Sequence, residues 1–256
     1  MKNSNLRIII AYPILFFFAS CYHTPKLKKI ETSIIAMDEK ENKDENKEIA
    51  EVIMPYKTKM EVEMNEVLIE SESPLTKDQP ESSLGNMVAD VTMLKANEFY
   101  YKKYGVNVDA VILNNGGLRS SLPKGKVTKR NVFELMPFEN EIVIVGLSGS
   151  KTQELFNHIA KSHGIPVSGI KMGIKDTIPT DIYINGKLFS PVNNYVIATS
   201  DYLASGGDKM KFFKDPLRID TVHYKIRNAI IDFMKEENSK GRKLNYKKDG
   251  RIYYAQ

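Results

Sequence analysis

From about Met54 onward, short runs of β-branched residues alternate with segments of helical period, and this alternation limits the fold more than any other feature of the chain. Glu63 to Glu70 alternates around Met64, Val67 and Ile69 and reads as a strand. Ser82 and Ser83 precede a helix in which Leu84, Val88, Val91 and Leu94 recur at helical spacing, with Gly105 as its C-terminal cap. Val106 to Leu113 reads as a strand that Asn114-Asn115-Gly116-Gly117 breaks. Thr128 caps a short helix through Val132 and Leu135, which Pro137 stops. Glu141 to Leu147 is a further strand, and Ser150 with Gln153 reads as a capping box opening a helix through Leu155, Phe156 and Ile159. Val167–Ile174, Asp181–Ile184 and Tyr195–Thr199 read as strands, with Asn185-Gly186 a hairpin turn. Asp220 is placed as the cap of a helix bearing Val222, Ile226, Ala229, Ile230 and Phe233, and Arg251–Tyr254 as a terminal strand. Interspersed helices and strands, some strands joined by hairpins, predict an α+β domain: a layered mixed β-sheet covered by helices. No internal repeat is visible.

Upstream of Met54 the chain has a different character. Lys2 and Arg7 precede an apolar run, Ile8 to Ala19, followed by Ser20 and Cys21. That three-part layout is a secretory signal peptide, and the run is shorter than the ~20 residues that span a bilayer. Cys21 is the only cysteine, so it has no intramolecular disulfide partner. Phe18-Ala19-Ser20-Cys21 resembles a bacterial lipobox, in which the thiol receives a diacylglycerol. The expectation is therefore a leader over 1–21 ending at a lipidated Cys21, anchored to a bacterial membrane in the cell envelope. Residues 38–51 carry seven acids and three lysines with almost nothing apolar to bury, so 22–53 reads as a charged tether. The folded domain is expected over 54–256. The net charge of +5 does not point to nucleic acid, because both signs are mixed throughout and no Lys/Arg cluster stands out.

Three segments of the domain carry chemistry. Asn114-Asn115-Gly116-Gly117-Leu118-Arg119 follows a strand; its glycines let backbone approach a ligand, and Arg119 can pair with an anion. Pro137-Phe138-Glu139-Asn140 can present a ring face and a hydrogen-bonding amide edge, the two things a nucleobase needs. Asp201-Tyr202-Leu203-Ala204-Ser205-Gly206-Gly207-Asp208 also follows a strand and sets an aromatic beside a carboxylate able to accept from ribose hydroxyls. Taken singly, each has a plain structural explanation: a turn with a surface arginine, a core phenylalanine, a glycine loop with a capping aspartate.

Together, and with Glu81-Ser82-Ser83-Leu84-Gly85-Asn86 before the first long helix, their order and content resemble the C-terminal domain of the 5′-nucleotidase/UDP-sugar hydrolase family. The resemblance covers roughly Met54 to Tyr254. It implies that Phe138 and Tyr202 sandwich a base, that Asn140 bonds the base edge and that Asp208 binds the ribose hydroxyls. It implies that Arg119 holds the polar or phosphate part, on a loop shaped by Asn115, Gly116 and Gly117. There are departures. Lys77 is the only cation in Pro74–Asp78, where the family often places arginines, and a lysine lacks the bidentate fork. Lys209-Met210 follow Asp208 where the family tends to have Gly and an aromatic, and Glu139 stands where a small residue is usual.

In this family hydrolysis belongs to a separate N-terminal metallophosphoesterase domain with two metal ions. The chain has no Gly-Asn-His-Glu/Asp segment and no Asp-x-His, and its histidines at 23, 158, 163 and 223 are scattered. The resemblance thus implies no catalytic residue, metal or cofactor in this chain, with two divalent metals in a partner metallophosphoesterase chain. Two functions follow: the nucleotide-binding part of a split 5′-nucleotidase-type hydrolase, or a stand-alone nucleotide- or nucleoside-binding or structural lipoprotein.

Overall fold

In the computed structural model, which describes residues 29–33 and 46–256, the elements run in the order α1 (Lys47–Met64), β1 (Val67–Ser71), α2 (Ser83–Tyr104), β2 (Ala110–Ile112), β3 (Gly125–Thr128), α3 (Lys129–Leu135), β4 (Glu141–Ser148), α4 (Gly149–Lys161), β5 (Val167–Ser168), β6 (Ile170–Lys175), β7 (Ile178–Ile184), β8 (Lys187–Leu188), β9 (Asn194–Ser200), α5 (Asp201–Ala204), β10 (Arg218–Lys225), α6 (Ile226–Ser239) and β11 (Ile252–Tyr254). The leader and Cys21 lie outside the described residues. Val52–Gln256 form one unit.

Its centre is a five-stranded mixed sheet in the order β10-β4-β9-β2-β5. β2 and β9 are parallel, and the other neighbours are antiparallel. Successive residues of these strands serve opposite faces. Val111, Ile142, Ile144 and Ala198 pack with Leu84, Met87 and Val88 of α2 and Ile230 and Met234 of α6. Ala110, Ile112, Val143, Val145 and Ile197 pack on the other face with Leu155, Phe156 and Ile159 of α4. That second cluster continues into a four-stranded sheet, β11-β6-β7-β8, through Met172, Ile174, Ile184 and Ile252. A sheet buried on both sides needs apolar residues at successive positions, which is why Ile142–Val145 reads as an unbroken apolar run. The layers are those the sequence predicts, a mixed α/β domain with sheets covered by helices.

The helix caps set several boundaries. Ser82 Oγ accepts from the Gly85 N–H at 2.9 Å, and Gly105 closes the same helix at φ 70°. Thr128 and Asn131 form a reciprocal capping box on α3.

Several boundaries differ from the sequence reading; the strand read over Val106–Leu113 shortens to Ala110–Ile112. Glu63 and Met64 end a helix rather than begin a strand, because ion pairs from Glu61 to Arg130 and from Glu63 to Lys129 hold the last turn. The run Val167–Ile174 is two strands in two sheets. Gly169 turns the chain between them at φ 74°, where a Cβ would lie 2.5 Å from the Asp109 carbonyl oxygen. The α4 cap is Ser148, whose hydroxyl accepts from Lys151 N–H, so Ser150 lies inside the first turn. Asp220 does not cap a helix. It lies in strand β10, paired with β4, and its buried carboxylate takes Lys103 Nζ, Tyr104 Oη and Arg218 Nε, each at 2.8 Å. The helix starts only at Ile226.

Candidate functional site

The sheet order decides where the loops meet. β2 and β9 are parallel neighbours, so their C-terminal ends open on one edge; β4 runs antiparallel to β9, so its first residues start on that edge. The Asn114–Arg119 loop leaves β2, the Asp201–Asp208 segment leaves β9, and Pro137–Asn140 leads into β4. A crevice outside the carboxyl ends of strands is where sheets of this kind bind ligands. Here it is a cavity of about 330 Å³, within the range of small-molecule pockets. Phe138 and Asn140 line it from the second loop, Tyr202 and Asp208 from the third, and Asn114, Gly116, Gly117 and Arg119 from the first. Segments up to 94 residues apart in sequence are thereby brought to one space.

Asp208 is held by two donors. Asn114 Nδ2 donates to its Oδ2 at 2.6 Å and the Tyr202 hydroxyl donates to its Oδ1 at 2.9 Å. The Asp208 N–H in turn donates to Tyr202 Oη at 3.3 Å. A carboxylate has about four lone-pair sites, so roughly two remain for a ligand. The backbone here is left-handed, with φ 94° at Gly206, 48° at Asp208 and 64° at Lys209. Gly207 must lack a side chain, because a Cβ would sit 2.5 Å from the Tyr202 ring. The loop thus lays its own backbone against the aromatic and leaves the ring 45% exposed.

Phe138 is 41% exposed, unusual for a phenylalanine, and it is fixed from behind by Arg227. That buried guanidinium donates to the carbonyls of Met136 at 3.3 Å and Phe138 at 3.2 Å, and lies 4.2 Å from the Phe133 ring centre. Glu139 pairs with both Arg227 and Lys225, whose hydrogen bonds hold its carboxyl below the usual range. Its charge is engaged by these cations, and it does not line the cavity. The Asn140 backbone carbonyl accepts from Ile226 N–H at 3.0 Å, while its side chain has no hydrogen bond to the protein among the described residues.

Arg119 is exposed; its N–H donates to the Leu135 carbonyl at 2.7 Å, and among the described residues its guanidinium reaches only the Gly116 carbonyl, at 3.5 Å. Asn115 does not line the cavity, since its amide donates to the Gly164 carbonyl at 2.9 Å and pins the loop from behind. Asn114, which the sequence reading left unassigned, takes the wall position instead. Lys77 donates to the Leu118 carbonyl at 2.9 Å, so the cation that stands in the arginine stretch supports the loop carrying Arg119. Arg227 and Asn114 are the two functional positions that the sequence did not single out. Asn114 is signalled only by its place in Asn-Asn-Gly-Gly. Arg227 has no local signal, because its targets are 88 to 91 residues away.

Among the described residues no group of three or more His, Cys, Asp or Glu side chains is arranged to hold a metal ion. His158 lies on α4 with its pKa pushed down, chiefly by burial. His223 is in a strand and exposed rather than at a helix start. No helix among the described residues is long and apolar enough to cross a membrane.

The family model of the 5′-nucleotidase C-terminal domain matches residues 61–215. Cell wall protein Lmo0130 of Listeria monocytogenes is 26% identical over 69% of this chain and 24% of its own length. A 5′-nucleotidase of Vibrio parahaemolyticus is 26% identical over 64% of this chain and 29% of its own length. The chain therefore spans about a quarter of these two relatives. Among solved structures, a 5′-nucleotidase precursor from Thermus thermophilus superposes with a TM-score of 0.67 at 21% identity, over 83% of this chain and 44% of that one. This structural likeness establishes the fold.

Proposed function

This chain belongs to the 5′-nucleotidase C-terminal domain family, and from that membership we propose that its cavity binds a nucleoside or nucleotide. The base lies between Phe138 and Tyr202 with its edge on Asn140, the ribose hydroxyls lie on Asp208, and the polar or phosphate part lies toward Arg119. The observation that supports this best is the convergence on one cavity of two exposed rings, a free amide and a pre-positioned carboxylate from two separate loops, with Arg119 at the rim from a third. Exposed rings flanking an open space forgo burial of their own, and a stacked base restores it.

The chain is in this reading the substrate-binding part of a split 5′-nucleotidase-type hydrolase in nucleotide catabolism. A separately encoded metallophosphoesterase chain supplies the two metal ions, which activate water and clamp the displacement. The described residues do not fit such a centre, so no hydrolytic step is assigned to them. Their work is binding: Arg119 places the phosphate end while the rings and Asp208 fix the nucleoside. A stand-alone nucleoside-binding lipoprotein is the second reading, favoured by Lys77, whose ammonium group already engages the Leu118 carbonyl. A diacylglycerol on Cys21 and a tether over 22–53 hold the domain at the cell envelope in both readings.

Calorimetry with adenosine, AMP and a UDP-sugar tests the pocket, and phosphate release with and without the metallophosphoesterase chain separates the two readings. Phosphate release only with the partner is the outcome for the split enzyme; nucleoside binding with no release in either case leaves the stand-alone binder. Absence of any nucleoside or nucleotide binding removes the pocket assignment. Mass spectrometry of the mature N-terminus tests the anchor, and an unmodified Cys21 ends it.

A further inference from the structure

Behind the base cavity lie two more. One, of about 280 Å³, shares Asn114, Gly116 and Asp208 with it and reaches His158 and Lys209. The next, of about 260 Å³, shares His158 and Lys209 with that one and adds Lys161, Lys211, Asn157 and Glu154. Each cavity shares wall residues with the next, so the three adjoin one another in sequence, from the base cavity past Asp208 to a lysine-lined end.

That end is electrostatically unfilled. Lys161, Lys209 and Lys211 make no ion pair among the described residues, whereas Lys103, Lys129, Lys225, Lys235 and Lys243 each hold a carboxylate. Lys161, Lys209 and Lys211 line this cavity with one carboxylate, Glu154, and Asp208 lines the adjoining one, so three positive charges stand against two negative ones. Lys209 is set there by its left-handed backbone, φ 64° directly after Asp208 at φ 48°, a conformation that non-glycine residues hold only when their surroundings impose it. Burial pushes the His158 pKa down, which favours the neutral ring, and Phe212 packs edge-on against it at 5.6 Å; a neutral imidazole offers one N–H donor. Asp208 supplies an acceptor at the inner end and the lysines an anion site at the outer end.

We propose that the lysine-lined cavity is a phosphate subsite, in which Lys161, Lys209 and Lys211, with the Asn157 amide, hold a phosphate dianion. The subsite stands without the nucleoside reading; only the attachment of that phosphate to a ribose rests on it.

The test titrates inorganic phosphate into the full chain at ionic strength held constant with sodium chloride, following the ring-proton resonances of His158. A saturable shift is expected in the wild type. In the Lys161→Ala/Lys211→Ala variant, both positions being exposed, the phosphate affinity falls about tenfold or more. Lys209 is left in place because it adjoins Asp208. A shift no larger than the chloride control gives, or an unchanged affinity in the variant, overturns the subsite. Adenosine is titrated in parallel and binds both proteins equally. Phosphate binding without any adenosine binding keeps the subsite and removes the nucleoside reading. Adenosine 3′-monophosphate then locates the source. Binding tighter than adenosine in the wild type alone places the phosphate on the ribose, and equal binding identifies a free phosphate; both support the subsite.

Discussion

Glu81 and Asp208 are both carboxylates gripped by protein donors, but the grip differs. Glu81 is 6% exposed and accepts from Asn86 Nδ2 at 2.6 Å, the Asp249 N–H at 2.7 Å and the Gly250 N–H at 2.9 Å. Next to it Arg251 donates to Asp90 Oδ1 at 2.7 Å and to the Val167 carbonyl at 2.8 Å. Every group there is occupied by another part of the chain, and the result is to tie the C-terminal segment to α2. Asp208 is exposed, takes two side-chain donors and keeps lone pairs facing a cavity that also contains an unbonded amide and two uncovered rings. The first cluster spends its polar capacity on the fold, and the second holds some back. Although Glu81 and Asn86 belong to the sequence pattern by which the family resemblance is drawn, their work is structural.

The largest effect that tests this contrast is on stability. Glu81→Ala leaves the Asp249 and Gly250 N–H groups without an acceptor and takes one of two acceptors from Asn86 Nδ2, which keeps the Lys247 carbonyl at 3.0 Å; the expected loss is about 3 kcal/mol. Urea unfolding followed by circular dichroism measures it. A loss below about 1 kcal/mol means that water replaces the carboxylate and that the cluster is not the tie described.

How much of this contrast the sequence shows depends on the range of the interactions. Ser82, Gly105 and Thr128 act within a turn of their own positions, and all three caps are legible from residue type alone. The layered fold is legible because the apolar runs of the central strands and the helical spacing of α2 report burial directly. Asp220 is misread because a strand with one buried carboxylate looks like a capped helix until Lys103, Tyr104 and Arg218 are brought to it. The rings and Asp208 are named from their local glycine and proline context. Arg227 is invisible because nothing near it in sequence marks a residue whose partners are in the Met136–Glu139 loop.

The next effect is on binding. Phe138→Ala is expected to weaken adenosine binding by about 2 kcal/mol, within the ~1–3 kcal/mol that a stacked base contributes. Stability is expected to change by less than about 1 kcal/mol, because the ring is 41% exposed. Calorimetry and urea unfolding on the same variant give both numbers. The reverse pattern, unchanged affinity with a large loss of stability, places Phe138 with Glu81 among the fold-holding residues and erases the contrast.

The smallest effect sharpens the comparison most, because it removes one atom from the ligand side only. Tyr202→Phe keeps the ring face but deletes the hydroxyl that donates to Asp208 Oδ1 and accepts the Asp208 N–H. The carboxylate is then held by Asn114 alone, so part of its orientation is lost before any ligand arrives. Adenosine affinity is expected to fall by about 1 kcal/mol, the ordinary contribution of one hydrogen bond. The 2′,3′-dideoxynucleoside lacks the hydroxyls that Asp208 accepts from, so its affinity is expected to be unchanged by the same substitution. The difference between the two ligands, measured in the two proteins, isolates the hydroxyl's effect on ribose recognition from any effect on stacking. Equal losses for both ligands mean that Tyr202 Oη serves the ring's position rather than Asp208, and that Asp208, like Glu81, is held for the fold alone.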